Sequence, residues 1–180
     1  MKKPEKIITK IHTGYGDYGF TKVGNKKILK TEIIVRYLSA LDSCNSYTAD
    51  LDRIHNILYR KVVQDYLFIL GALAHNPNNP AYVNKLNKLY DMFKSEIEVL
   101  IKDLPPLTGF IRTNSYNAGL MQLRTEIRQA EILAVDAAGF ISNNPWSMYL
   151  NLLSDFVFAV IWNRCYFSDN LELWEGVVSE

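Results

Sequence analysis

Histidine and cysteine are scarce here, three of one and two of the other in 180 residues. His12, His55 and His75 are scattered, and Cys44 and Cys165 share no close spacing. A zinc site needs such residues at short, regular intervals, so none is expected. The helices also lack the Glu-x-x-His pairs of a di-iron carboxylate bundle. No Ser-His-Asp or Cys-His arrangement supports nucleophilic catalysis. The two thiols read as free and half-buried in a reducing compartment. A charge excess is missing too. Twenty Lys and Arg against 19 Asp and Glu leave a net charge of +1, which offers no general case for nucleic-acid binding. The one local basic cluster is Lys22, Lys26, Lys27 and Lys30. Long apolar runs are absent: the richest, Phe156 to Trp162, is too short to cross a bilayer. Met1 to Lys6 is charged and leads into no signal-peptide core. The expectation is a soluble, cytoplasmic protein with no nucleic-acid or membrane partner.

What remains is 48% hydrophobic and 22% charged, ordinary for one globular domain of this length. Residues 1–30 show no helical period, and four of the nine glycines fall between Gly14 and Gly24. This part reads as a loop-rich arm with a short strand at Lys6 to Thr9, and residues 31–180 as a helical bundle. The spacing predicts a first helix from Thr31, its cap, to Ser46, with Ile34, Leu38, Leu41 and Asn45 on one face. A second runs from Asp52 to Ala74, with Ile57, Val63, Leu67 and Leu70 inward. His75 to Pro80 is a stop. A third spans Ala81 to Lys102 on Leu86, Leu89, Phe93, Ile97 and Leu100. Leu104-Pro105-Pro106-Leu107 breaks the chain again. The fourth, Ser115 to Gly139, carries a heptad-like stripe of Leu120, Leu123, Ile127, Ala130, Ala134 and Ala137. Its alanine half would let a neighbour approach closely. The fifth runs from Pro145 to Tyr166 on Leu150, Leu153, Val157 and Val160. The fold class is all-α, a five-helix bundle.

Gly14-Tyr15-Gly16-Asp17-Tyr18-Gly19 matches G-x-G-x-x-G, yet no βαβ unit surrounds it. The short chain and the missing H-R-D and D-F-G elements argue against a protein kinase. Two readings stay open for the glycines: a simple turn, or a loop whose N–H groups cradle phosphate beside the lysines. Arg124, Arg128 and Glu131 stand at i, i+4 and i+7 on one face of the fourth helix. Asn151 and Asp155 repeat the spacing on the fifth. Such a row is either a solvated ion-pair face or a subunit or ligand contact.

In order along the chain, these segments resemble the trimeric ATP:cob(I)alamin adenosyltransferases of the propanediol-utilisation type. The family's T-K-T-G-D-x-G-x-T loop is similar to Thr13 through Thr21, and its R-V-x-K to Lys27-Ile28-Leu29-Lys30. D-E-L-N-S is similar to Asp42-Ser43-Cys44-Asn45-Ser46, and Q-x-x-L-F-x-L-G-A to Gln64 through Ala72. L-P-P-L-x-x-F-I matches Leu104 through Ile111. R-T-x-x-R-R-A-E-R appears as Arg124 through Ile132, and Y-L-N-R-L-S-D as Tyr149 through Asp155.

The resemblance implies a homotrimer with sites between subunits, transferring the 5′-deoxyadenosyl group of ATP to the cobalt of a reduced cobalamin or related corrinoid. It implies that Thr13, Gly16, Asp17, Gly19 and Thr21 wrap the triphosphate, with Mg²⁺ held mainly by phosphate oxygens. Lys27 and Lys30 add charge, Arg128 contacts the phosphates, and Glu131 and Asn151 orient the nucleotide. Asp42 and Arg124 form an intersubunit salt bridge. Phe110 lies beneath the corrin and displaces its lower ligand, and Asp155 lies near the corrin. The chain also departs from the pattern. Gly14 and Tyr15 replace the loop's Lys and Thr. Gln129, Ile132 and Leu152 replace arginines, and Arg112-Thr113-Asn114-Ser115 replaces L-P-G-G. Lost positive charge weakens triphosphate binding, by about 1.5–3 kcal/mol per charge-assisted contact. Lys10 or Lys22 are candidates to compensate. The alternatives are a non-catalytic relative that binds a corrinoid or nucleotide, and a helical scaffold with no ligand.

Overall fold

The computed structural model describes residues 16–53, 57–138 and 146–175. Its helices follow the apolar spacing, except that Asp52, the expected start of the second, lies in a 3-10 segment: α1 Ile33–Tyr47, α2 Ile57–His75, α3 Pro80–Ile101, α4 Ala118–Ala137 and α5 Trp146–Phe167. That 3-10 segment, Thr48–Arg53, follows α1. The all-α five-helix expectation holds. The strand expected at Lys6 to Thr9 and the start expected at Pro145 lie outside the described residues, as do Thr13, Gly14 and Tyr15.

The stop between α2 and α3 is also a start signal. The Asn79 side chain accepts from the N–H groups of Ala81 and Tyr82 at 3.0 and 3.3 Å, and Pro80 opens the helix. The expected cap of α1 is corrected. Glu32, not Thr31, holds the N-cap position, in extended backbone and with no side-chain capping bond. The buried face of α1 is also broader than expected. Ile34, Tyr37, Ala40, Leu41 and Cys44 are buried, whereas Leu38 and Asn45 are only partly so.

Helix α4 packs against α1 on one side and α5 on the other, and α5 also lies on α3. All six residues of the α4 stripe are buried, and the small Ala130, Ala134 and Ala137 permit close approach. The seam of α2, α3 and α5 is filled by rings instead. Phe93 and Phe156 lie 4.6 Å apart between centroids, and Tyr66 meets Phe93 edge-on at 5.3 Å. The buried Tyr66 hydroxyl donates to the Tyr149 carbonyl at 3.1 Å, and Tyr149 donates to Asn87 Oδ1 at 2.6 Å. Burial without such bonds would be costly. Both cysteines are free and wholly buried, not half-buried as expected. Burial foremost pushes the Cys44 thiol up to about 12, with the charge of Glu126 adding to it.

Two small antiparallel ribbons interrupt the helical pattern, and neither was anticipated. Strands β1 (Phe20–Val23) and β2 (Lys26–Leu29) form a hairpin before α1, with Thr21 opposite Ile28. Strands β3 (Phe110–Ile111) and β4 (Leu173–Trp174) pair Phe110 with Trp174 and Ile111 with Leu173. Among the described residues, no helix is long and apolar enough to cross a membrane.

Candidate functional site

The hairpin converts part of the glycine-rich arm into a fixed element. Its turn contains Gly24, whose φ of +57° favours glycine and whose N–H donates to His75 Nδ1 at 3.1 Å. A Cβ there would stand 2.8 Å from the His75 carbonyl oxygen, so glycine lets the turn seat on the end of α2. At the other end Gly19, with φ +77°, accepts from the Lys30 N–H at 2.9 Å and donates to the Gly16 carbonyl at 3.3 Å. The Lys30 ammonium folds over Gly16, where an added Cβ would lie 2.9 Å from its Nζ. Lys27 Nζ sits 4.6 Å from the centroid of the Phe20 ring. Asp17, Lys27 and Lys30 are exposed, and Gly16 and Thr21 partly so.

Behind the hairpin, α1 floors two adjoining clefts that share Thr21, Val35 and Ser39. One, of about 490 Å³, is lined by Lys22, Asp42, Phe68, Gly71 and His75 among others. The other, of about 580 Å³, is lined by Lys30, Arg36, Ser43 and Glu126. Ser43 donates to Glu126 at 2.8 Å, and Gln122 donates to the other carboxylate oxygen at 2.8 Å. Arg36, Ser39 and Glu126 had not been singled out. Glu126 stands inside the Arg124 to Ile132 segment, but nothing in its spacing tells it from the helix's other polar positions.

A second group stands on α4 and α5. Arg124 is half-buried, with its guanidinium 4.8 Å from the Phe158 ring centroid. Its Nε is buried without a hydrogen-bond partner. Desolvation foremost, and then the charge of Arg128, lower its pKa, while Asp155 opposes them. Arg124, Arg128 and Asp155 are thus neighbours. Asn151 donates to Asp155 at 3.5 Å, a marginal bond. Arg128, Asn151 and Asp155 are exposed, and Glu131 is partly so. Among the described residues no hydrogen bond joins this group to the hairpin group. Phe110 lies on β3, 74% exposed, with its ring against Trp174. No set of three acidic, histidine or cysteine side chains among the described residues gathers to hold a metal.

A family model for cobalamin adenosyltransferase matches residues 11–163. This chain belongs to the cobalamin adenosyltransferase family. Solved structures share its fold. A Phe→Ala variant of the PduO-type ATP:corrinoid adenosyltransferase from Lactobacillus reuteri, complexed with cobalamin and ATP, is 22% identical, with a TM-score of 0.78. That match covers 93% of this chain and all of the other. A Phe→His variant with the same ligands is 20% identical, with a TM-score of 0.74 over 95% of this chain and 98% of the other. An Arg→Lys variant complexed with ATP is 22% identical, with a TM-score of 0.78 over 92% of this chain and all of the other. No curated protein matches by sequence.

Every candidate site residue, from Thr13 to Asp155, falls inside the stretch matched by the cobalamin adenosyltransferase family. Of the positions that differ from the family's arginines, Gln129 and Ile132 are exposed and Leu152 partly buried. None of the three fills the closed core. Leu152 packs against the edge of the core, while Gln129 and Ile132 face outward.

Proposed function

We propose that this chain is an ATP:corrinoid adenosyltransferase that works as a homotrimer, with each site assembled from two subunits. Residues 1–30 serve as its nucleotide-binding arm and 31–180 as the bundle. The observation that carries the reading is the family match over residues 11–163, which spans all of the candidate residues at once. No hydrogen bond joins the hairpin group to Arg128, Asn151 and Asp155 among the described residues, which is compatible with a site assembled from two subunits.

In the reaction, an electron pair on Co(I) attacks the ribose C5′ of ATP. The Co–C bond forms as the C5′–O bond breaks, and triphosphate leaves. The substrate supplies the nucleophile, so the protein's contribution is positioning and charge stabilisation. No general base is required. Thr13, Gly16, Asp17, Gly19 and Thr21 wrap the triphosphate, with Lys27 and Lys30 adding charge. Mg²⁺ is held mainly by phosphate oxygens. Arg128 meets the growing charge on the leaving group. Glu131 and Asn151 orient the nucleotide. Asp42 pairs with Arg124 of a neighbouring subunit, and Arg124 carries a buried Nε in need of an acceptor. The exposed ring of Phe110 lies beneath the corrin and displaces its lower ligand, which makes Co(II) easier to reduce. Asp155 lies near the corrin.

A second reading is a non-catalytic relative that binds corrinoid or nucleotide. It is favoured by Gly14, Tyr15, Gln129, Ile132 and Leu152, which carry no charge where the family's loop has Lys and Thr and its helices have arginines. Both readings meet one anaerobic test, in which purified protein, cob(I)alamin and Mg-ATP are followed by visible spectroscopy. Growth of adenosylcobalamin that depends on protein and ATP supports the enzyme. Arg128→Ala then lowers kcat by roughly 10²-fold, the scale of losing one stabilising donor. Binding of ATP or corrinoid by calorimetry without product moves the assignment to the second reading, and unchanged turnover in Arg128→Ala removes its role.

A further inference from the structure

The ribbon of β3 and β4 ties two distant parts of the chain at the residue proposed to meet the corrin. Residues 108 to 114 are fastened along residues 170 to 175 by several bonds. The Arg112 N–H donates to the Glu172 carbonyl at 2.8 Å, and Asn114 Nδ2 donates to Glu172 Oε1 at 2.9 Å. Thr108 donates to Glu175 Oε1 at 3.2 Å. Gly109 passes so near the second strand that a Cβ there would lie 2.6 Å from the Trp174 carbonyl oxygen. This backbone lattice sets Phe110 directly across from Trp174.

Their rings lie 6.0 Å apart between centroids and are tilted by 33°. Aromatic pairs attract at that separation. The two side chains nonetheless remain 74% and 47% exposed. An exposed phenylalanine ordinarily samples several staggered rotamers. A ring packed on one side by an indole loses part of that freedom while keeping its other side open. The second strand lies beyond residue 163, where the family match ends, so no family motif describes it.

We propose that Trp174 is a positioning residue for Phe110, holding the phenylalanine ring in the orientation that displaces the lower ligand of the corrin. The inference rests on the proposed adenosyltransferase reading and deepens it. Trp174 acts through Phe110, and the triphosphate end of the site is independent of it.

The test compares the full-length protein with Trp174→Ala and Trp174→Phe. Each is mixed with cob(II)alamin and Mg-ATP, and the fraction of corrinoid whose lower ligand is displaced is read by visible and electron paramagnetic resonance spectra. The kcat is then measured after adding a one-electron chemical reductant that converts Co(II) to Co(I). In Trp174→Ala that fraction and kcat fall together, by about two- to tenfold, the range an aromatic pair's coupling allows. Trp174→Phe restores both, and ATP affinity by calorimetry is the same in all three proteins. A Trp174→Ala spectrum and kcat equal to the unmodified protein overturn the inference. So does a loss shared by ATP affinity and melting temperature, which marks a merely structural tryptophan. If the unmodified protein gives neither the displaced species nor product, the adenosyltransferase reading fails and takes the inference with it.

Discussion

The two ribbons of this molecule are built alike and formed differently. Both are short antiparallel pairs at the margin of the bundle, and both depend on one glycine that lets backbone approach backbone. The β1–β2 hairpin is local, closed by Gly24 and Asn25 in a turn that seats on His75. Its outward side chains are Lys22, Lys26, Lys27 and one apolar residue, Leu29. The β3–β4 ribbon pairs Phe110 with Trp174, residues separated by the whole of α4 and α5. Its outward side chains are aromatic. The first suits an anion, the second an apolar ring system. A local pairing can be specified by its own turn. A distant pairing waits until the helices between its strands have packed.

The largest expected effect falls on the core, which both ribbons border. Burial raises the pKa of Cys44 to about 12 from an ordinary 9.0, and raises Tyr37 and Tyr66 above their ordinary 10.0. A raised acid favours the folded state at every pH below its unfolded pKa, and that stability is lost as pH climbs from there to the folded value. Above about pH 9–10 each ionising group therefore removes roughly 1.4 kcal/mol per pH unit. Melting curves between pH 8 and 11 should show a steepening fall, and a flat profile would place these groups in water.

Gly24→Ala separates the local ribbon from the core. The positive φ and the collision with the His75 carbonyl strain it by about 1–3 kcal/mol. Denaturant titration should register that loss, and ATP affinity should fall while the corrinoid spectra stay as they were. Ser43→Ala is a control outside both ribbons. It removes one bond to Glu126 in the cleft and should cost about 0.5–1.5 kcal/mol by the same titration. Gly109→Ala should change global stability least, by under about 0.5 kcal/mol, because the β3–β4 ribbon opens locally before the bundle does. Its effect should appear as a weaker corrinoid response with ATP binding intact. If Gly24→Ala and Gly109→Ala proved interchangeable in these assays, the division of labour between the ribbons would be wrong.

Much of the bundle was legible beforehand. The α4 stripe, Leu120 to Ala137, is buried at every expected position because 3.6-residue periodicity needs no partner to be recognised. The stop at Asn79-Pro80 also sits where the helix begins. Thr31 was misjudged as a cap because Ser and Thr mark a start only when the backbone turns at that residue, and here it turns at Glu32. The ribbons escaped notice for different reasons. Phe20 to Leu29 lacks clean alternation, and Lys26 and Lys27 made it look like loop. Phe110-Ile111 and Leu173-Trp174 are two-residue strands with no period at all. Among the candidate site residues, Arg124, Arg128, Asn151 and Asp155 are singled out by helical spacing and by resemblance to the family's motifs. Ser39 and Glu126 were missed because membership of a cleft is a property of two helices together.

By itself, then, the amino-acid order determined the five helices, their breaks and the family to which they belong, because these rest on local propensity, periodicity and motif order. Only the tertiary structure decided that Gly24 docks against His75, that Ser43 holds Glu126, and that Phe110 faces Trp174. Each of these joins residues more than fifty positions apart, 83 for the Ser43 pair, and contacts at such separations exist only after the helices have buried their apolar faces against one another.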